Sequence, residues 1–184
     1  MPMRLTAASL FFALLCTGAQ AVSEVVAARA YERISPALCT VLYTVEITNP
    51  NSGETARAET RALGVIVSPS GLVITHGHMS TDQRDPLNAT VLVGSGEDQE
   101  EYETEILQKP EDVNLSFLKI QSEEEVRFPC VRFSTGHTFE VGQQIVIYGV
   151  FGDVLDFSPA VQFRRIGTVL DEPRTTYALD QAIP

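Results

Sequence analysis

The sequence predicts an all-β fold of short strands, preceded by one helix. Three observations support this prediction. Runs rich in Val, Ile, Thr, Tyr and Phe recur along the chain and alternate with turn residues, a texture typical of barrels and sandwiches. Twelve Gly and ten Pro are spread through the 184 residues, as many short elements joined by turns require. With 44% apolar and 20% charged residues, the composition is that of a globular protein.

Residues 1–21 have the pattern of a secretory signal peptide. Arg4 precedes an apolar run over 5–16 of about 12 residues, which is shorter than the ~20 that span a bilayer. Ala19-Gln20-Ala21 then gives the small-x-small pattern at which such peptides are cleaved. We therefore expect cleavage after Ala21, a secreted or periplasmic protein, and no membrane span once the leader is removed. A buried N-terminal helix is the other interpretation.

One helix and nine strands are predicted after the leader. Ser23 is placed to cap a helix over 23–34, and Ser35-Pro36 ends it. Six strands are predicted near 37–48, 57–68, 71–76, 88–94, 101–108 and 115–121. After a linker at 122–127, three more strands are predicted near 143–151, 161–170 and 175–180.

Charge and cysteine content exclude some functions and leave others open. The net charge of −11 repels phosphate backbones, so we expect no nucleic-acid partner. The three cysteines are not clustered as in a zinc finger. In an oxidising compartment Cys39 and Cys130 either form one disulfide or remain as two buried thiols, and the sequence is consistent with both.

The segment 64–79 contains the candidate chemistry. It has the pattern of a tight hairpin with Gly71 at the turn, followed by His76 and His78. A histidine where a barrel strand ends is held by the scaffold and open to a cleft. Because imidazole exchanges protons near neutral pH, His78 is a candidate general base.

Two alternatives use the same region differently. His76 and His78 form a His-x-His pair that binds a metal in some proteins, with Asp82, Asp85 or His137 as a third ligand. No third ligand stands at a characteristic spacing, so we expect neither a metal nor a cofactor. Cys130 is a weaker alternative as a nucleophile, because it falls between the sixth and the seventh predicted strands, away from the His-x-His segment.

Five segments, in order, resemble trypsin-like serine proteases, in particular the bacterial HtrA/Deg type. The hairpin ending at His78 is similar to the family pattern "G-x-G-x-I-x-x-x-G-x-I-x-T-x-x-H", whose last residue is the catalytic base. The other four similar segments are 88–107, 112–120 (DVNLSFLKI, against "D-x-A-V-L-K-I"), 133–152 (against "V-G-x-x-V-x-A-I-G-x-P-x-G") and 178–184 (ALDQAIP, against "T-D-A-A-I-x-P"). The resemblance covers nearly the whole mature chain.

The resemblance implies a domain organisation. A helix and linker over 22–36 precede a trypsin-like six-stranded barrel over 37–121, and part of a second barrel follows over 122–184. Only about three strands of that second barrel are predicted, so its strand edges would be open. We expect an incomplete chain or a partner that covers this edge, and a rearranged second half is the third alternative.

The resemblance also implies site residues and an activity, which is the hydrolysis of peptide bonds in a polypeptide substrate. His78 corresponds to the base and Asn114 to the acid, while the nucleophilic Ser is expected beyond Pro184. An Asp-to-Asn exchange at the acid of such a triad lowers turnover about 10⁴-fold. Asp112 could replace the acid, but two residues along a strand place it ~6.6 Å away.

Two functions remain at this stage. The first is an exported serine endopeptidase domain that is inactive in this chain, because the acid position is Asn and the nucleophile is expected after the last residue. The alternative is a secreted pseudoprotease that keeps the scaffold and binds a peptide or protein ligand.

Overall fold

The computed structural model describes residues 24–49, 51–79, 86–107, 110, 112–123, 125–150 and 158–181. The predicted signal peptide and the predicted cap Ser23 lie outside these residues. None of the helices in the described part of the chain has the length and apolarity needed to cross a membrane.

The described residues form one α-helix and nine strands, which confirms the all-β prediction. Each predicted strand agrees with an observed one to within two residues at either end. The elements are α1 (Glu24–Ile34), β1 (Leu38–Thr48), β2 (Thr55–Ser68), β3 (Leu72–His76), β4 (Pro86–Val93), β5 (Glu100–Ile106), β6 (Leu115–Ile120), β7 (Gln144–Val150), β8 (Pro159–Leu170) and β9 (Thr176–Leu179).

The first six strands close into an antiparallel barrel in the order β1-β2-β3-β6-β5-β4. Closure occurs because the long strand β1 pairs with β2 on one side and with β4 on the other. Alternate residues of each strand point inward, as the two-residue period of a strand requires. The fully buried interior residues are Val41, Ile66, Val73, Val91, Leu118 and Met79. Removing these apolar side chains from water is the main source of the barrel's stability.

The β2–β3 hairpin turns at Gly71, as the sequence predicts. Gly71 has a φ of +84°, and its N–H donates to the Ser68 carbonyl at 2.9 Å. A residue with a Cβ is strained at this φ. A Cβ there would also lie 2.9 Å from Cβ of Ile120 and 3.1 Å from the Phe128 ring, so the turn packs closely against these two residues.

The remaining strands form an open three-stranded antiparallel sheet in the order β7-β8-β9. Helix α1 packs against this sheet. The Tyr148 hydroxyl on β7 donates to the Ala27 carbonyl on α1 at 2.7 Å. The rings of Tyr31 and Tyr148 also stack at 5.8 Å between centroids. The chain passes from barrel to sheet along the barrel wall, where the Val131 N–H donates to the Ile66 carbonyl at 2.9 Å.

Cys39 and Cys130 are both free thiols in this structure. Cys39 points into the barrel, and burial raises the pKa of its thiol to about 12. Cys130 is half-buried and packs against the same core from the connecting segment. Of the two alternatives that the sequence is consistent with, the structure therefore has the pair of thiols.

Candidate active site

The candidate base lies on a short turn at the end of β3. Residues Gly77–Met79 form one turn of 3₁₀-helix directly after His76. Thr75 before the turn and Met79 within it are both buried, and the Thr75 hydroxyl donates to the Leu63 carbonyl at 2.8 Å. Because both flanks are anchored in the barrel, the exposed His78 is presented at the barrel rim, as the sequence predicts.

Asn114 reaches the same place because β3 pairs with β6. His76 lies opposite Leu115 in this ladder, so the residue before β6 arrives beside the turn. The Gly77 N–H donates to the Asn114 carbonyl at 2.9 Å. A Cβ on Gly77 would lie 2.3 Å from Asn114 Oδ1 and 2.6 Å from its carbonyl carbon. Only glycine permits this approach, a role that the sequence analysis did not identify.

The side chains of His78 and Asn114 meet across 36 residues of sequence. Asn114 Nδ2 lies 3.4 Å from His78 Nε2. An amide nitrogen is a donor, so in this arrangement Nε2 is the acceptor and the ring proton is on Nδ1. The amide has no negative charge with which to balance an imidazolium. The structure therefore brings together the two residues that the resemblance assigns, but Asn114 cannot supply the electrostatics of an acid.

Asp112 makes its described contacts with Arg174. Asp112 lies in the turn before β6, which begins at Leu115 as predicted, so the spacing of residues along a strand does not apply to it. Its carboxylate lies 3.6 Å from Arg174 Nη1, and its carbonyl accepts from Arg174 Nη2 at 2.9 Å. Arg174 comes from the β8–β9 connection, so this contact joins the sheet to the barrel beside the site. No local sequence signal identifies Arg174.

His76 contacts the turn that it precedes. The His78 backbone N–H donates to His76 Nδ1 at 3.1 Å, and the two rings lie 5.7 Å apart between centroids. Partial burial lowers the pKa of His76, and the positive charge of a protonated His78 lowers it further. From the sequence, His76 is a candidate only as a metal ligand. Its role as a hydrogen-bond acceptor has one sequence signal, which is an acceptor side chain two residues before a backbone N–H of a turn.

The described part of the chain contains no group of three or more His, Cys, Asp or Glu side chains placed to hold a metal ion. His137, one of the proposed third ligands, packs edge-on against Phe139 at 5.1 Å in the loop before β7. Asp82 and Asp85, the other two proposed ligands, lie outside the described residues.

A cavity of about 810 Å³ lies between the barrel, the α1–β1 connection and the sheet. Its lining includes Tyr31, Cys39, Arg61 and Gly149, but neither His78 nor Asn114. The candidate site is therefore the exposed rim at His78, where the ionisable and hydrogen-bonding groups converge.

Comparison with known proteins agrees with this fold. Residues 62–179, more than half of the chain, match the model of the family described as "Trypsin-like peptidase domain". Among solved structures, the apo crystal structure of the MamO protease domain from Magnetospirillum magneticum is similar. It has 19% identity and a TM-score of 0.53, and the match covers 80% of this chain and 70% of that one.

At 19% identity this likeness concerns the fold alone. No curated protein matches the sequence. The family match includes His78, Asn114 and most of the nine strands. On this match, together with the closed barrel and the partial second sheet, the chain belongs to the trypsin-like peptidase domain family.

Proposed function

We propose that the chain is the trypsin-like domain of an exported serine endopeptidase, with His78 as the general base and Asn114 in the position of the acid. The observation that carries the proposal is the contact between these two side chains, 3.4 Å apart at the rim of the barrel. Family membership and the fold likeness to a MamO protease domain support it.

The mechanism assigns a limited task to each residue. A serine hydroxyl is a weak nucleophile until a base takes its proton, and His78 is exposed at the rim. Because His78 Nε2 faces Asn114 in this structure, the imidazole has to turn Nε2 away from Asn114 before it can accept that proton. In a trypsin-type triad a carboxylate then stabilises the imidazolium and fixes its tautomer. Asn114 is neutral, so we expect slow turnover with His78 and Asn114 as the pair.

We propose further that the domain is exported and of the HtrA/Deg type. Export rests on the leader pattern at 1–21, and the subtype rests on the five ordered motifs. The substrate class is an unstructured polypeptide, because the open edges of the β7-β8-β9 sheet suit an extended chain.

The test is hydrolysis of unstructured casein at neutral pH by the protein translated from its complete reading frame. His78→Ala should abolish cleavage. Asn114→Asp should raise kcat by about 10²- to 10⁴-fold, because a carboxylate restores the charge that Asn114 lacks. The matched control is His137→Ala, an exposed histidine outside the site, which should leave the rate unchanged. Cleavage that survives His78→Ala would refute the assignment.

A second function is favoured by one observation, the amide nitrogen of Asn114 facing His78 Nε2. A donor in this position stabilises neutral imidazole and opposes the protonated form that catalysis requires. On this alternative the protein is a pseudoprotease that binds a peptide or protein ligand along an open strand edge.

The two functions give different results. A binding module captures a fluorescent unstructured peptide, measured by anisotropy, with no cleavage by either the native protein or Asn114→Asp. The reading frame past codon 184 gives an independent answer, because a Gly-x-Ser-Gly-Gly motif there supports the protease.

A further inference from the structure

The turn that carries His78 is closed by an imidazole in place of the usual Asn, Asp or Ser. In an Asx-turn, a side-chain oxygen accepts the backbone N–H two residues further along the chain. Here His76 Nδ1 takes that role and accepts the His78 N–H at 3.1 Å. A ring nitrogen can accept only when it carries no proton, so this bond requires neutral His76 with its proton on Nε2.

We propose that the neutral His76 imidazole is a positioning residue that holds the turn carrying His78, and that protonation of His76 releases this turn. The proposal rests on the proposed function in one respect, since release of the turn affects catalysis only if His78 is the base.

The surroundings of His76 favour its neutral form. On β6 the residue opposite His76 is Leu115, and on β2 the residue opposite the neighbouring Thr75 is Gly64, neither of which ionises. On the turn, His78 faces His76 and adds positive charge when protonated. On the segment that leads into β6, Asp112 is charged, but its carboxylate faces Arg174.

The direction of the pH effect follows from these contacts. Partial burial first, and the charge of His78 second, lower the pKa of His76 from its ordinary value of 6.5. Between the folded and the unfolded pKa, the unfolded chain binds more protons than the native turn does. The stabilising contribution is therefore fully present above pH 6.5 and is lost as the pH falls through the lowered pKa of His76.

Two substitutions distinguish the hydrogen-bond acceptor of His76 from the bulk of its ring. His76→Asn keeps an acceptor that reaches the N–H two residues on, and it does not titrate. His76→Phe keeps a flat ring but removes the acceptor. Both changes are at an exposed position, so the barrel is expected to fold in each. His137→Phe, at another exposed histidine, is the matched control.

The experiment uses ¹⁵N-labelled whole chain and nuclear magnetic resonance. At pH 8 we expect His76 Nδ1 to be unprotonated. We also expect the His78 amide to exchange with solvent about 2- to 10-fold faster in His76→Phe, as loss of one net hydrogen bond predicts. In His76→Asn and His137→Phe the exchange rate of the His78 amide should differ from the native rate by less than about twofold, because neither change removes this hydrogen bond. On acidification, native protein should lose this protection and His76→Asn should keep it.

A protonated Nδ1 at pH 8, or unchanged exchange in His76→Phe, overturns the proposal. Activity gives a separate readout. If both His76 and His78 must be neutral, the slope of log kcat/KM against pH should approach 2 on the acid side. In His76→Asn the slope should be 1. If no form cleaves casein, the proposed function fails, while the amide exchange still decides the role of His76.

Discussion

The closed barrel and the open sheet differ in how they bury apolar side chains. In the barrel, interior residues such as Val41, Ile66 and Leu118 are 0% exposed. In the sheet, Val161 and Leu170 are 45% and 54% exposed. Both regions have strands of similar composition, so the difference comes from closure, which pairs every strand on both sides and encloses one face.

This difference determines where a precise site can be built. The groups at the candidate site, from His76 to His78 and at Asn114, belong to β3, β6 and their adjoining turns, all on the barrel. Their anchors, Thr75 and Met79, are buried in the barrel. The sheet contributes Arg174, which contacts Asp112 beside the site. The candidate site is thus built on the barrel, and the sheet contacts it from the side.

The largest expected effect tests this contrast directly. Leu118→Ala leaves a cavity in the barrel core and should lower the free energy of unfolding by about 3–5 kcal/mol. Leu170→Ala removes the same atoms from an exposed position of β8 and should change it by less than about 0.5 kcal/mol. Urea denaturation followed by circular dichroism measures both values. Equal losses would mean that the sheet, and not only the barrel, has a packed core.

An intermediate effect is expected from glycine substitution. Gly77→Ala places a methyl group against the main chain of Asn114, which cannot rotate away, and should cost about 1–3 kcal/mol. Gly149→Ala, on β7, meets no atom within 4 Å and should be nearly neutral. The same urea titrations apply. An unchanged free energy of unfolding in Gly77→Ala would show that the main chain of Asn114 can move to accommodate the methyl group.

The smallest effect is expected for the contact between the two regions. Arg174→Ala removes an exposed pair with Asp112 and should cost about 0.2–1 kcal/mol. Arg57→Ala removes a comparable exposed pair with Glu46 within the barrel and should cost a similar amount. Only Arg174→Ala should speed limited proteolysis of the sheet, because Arg57 does not link the regions. Equal rates of proteolysis of the sheet in the two variants would argue against a role of Arg174 in holding the sheet to the barrel.

The sequence was sufficient for the strands and for selecting His78 and Asn114, whose side chains the structure brings together. Alternating apolar residues on β1 and β6 predict strands with one buried face, and the motif around His78 predicts a histidine at the barrel rim. The pairing of Asp112 with Arg174 was missed, because nothing in DVNLSF shows that the β8–β9 connection approaches it. The role of His76 as an acceptor was missed because it depends on ring orientation.

The linear sequence determined the period-two pattern, the turn at Gly71 and the identities of His78 and Asn114, because these follow from local residue types and their spacing. Only the tertiary structure decided that Asn114 faces His78 with its amide, that Gly77 must lack a side chain, and that Arg174 holds Asp112. Each of these depends on the register between β3 and β6 or on the approach of the sheet to the barrel. Such contacts join residues 36 to 62 positions apart, and local propensity carries no information about them.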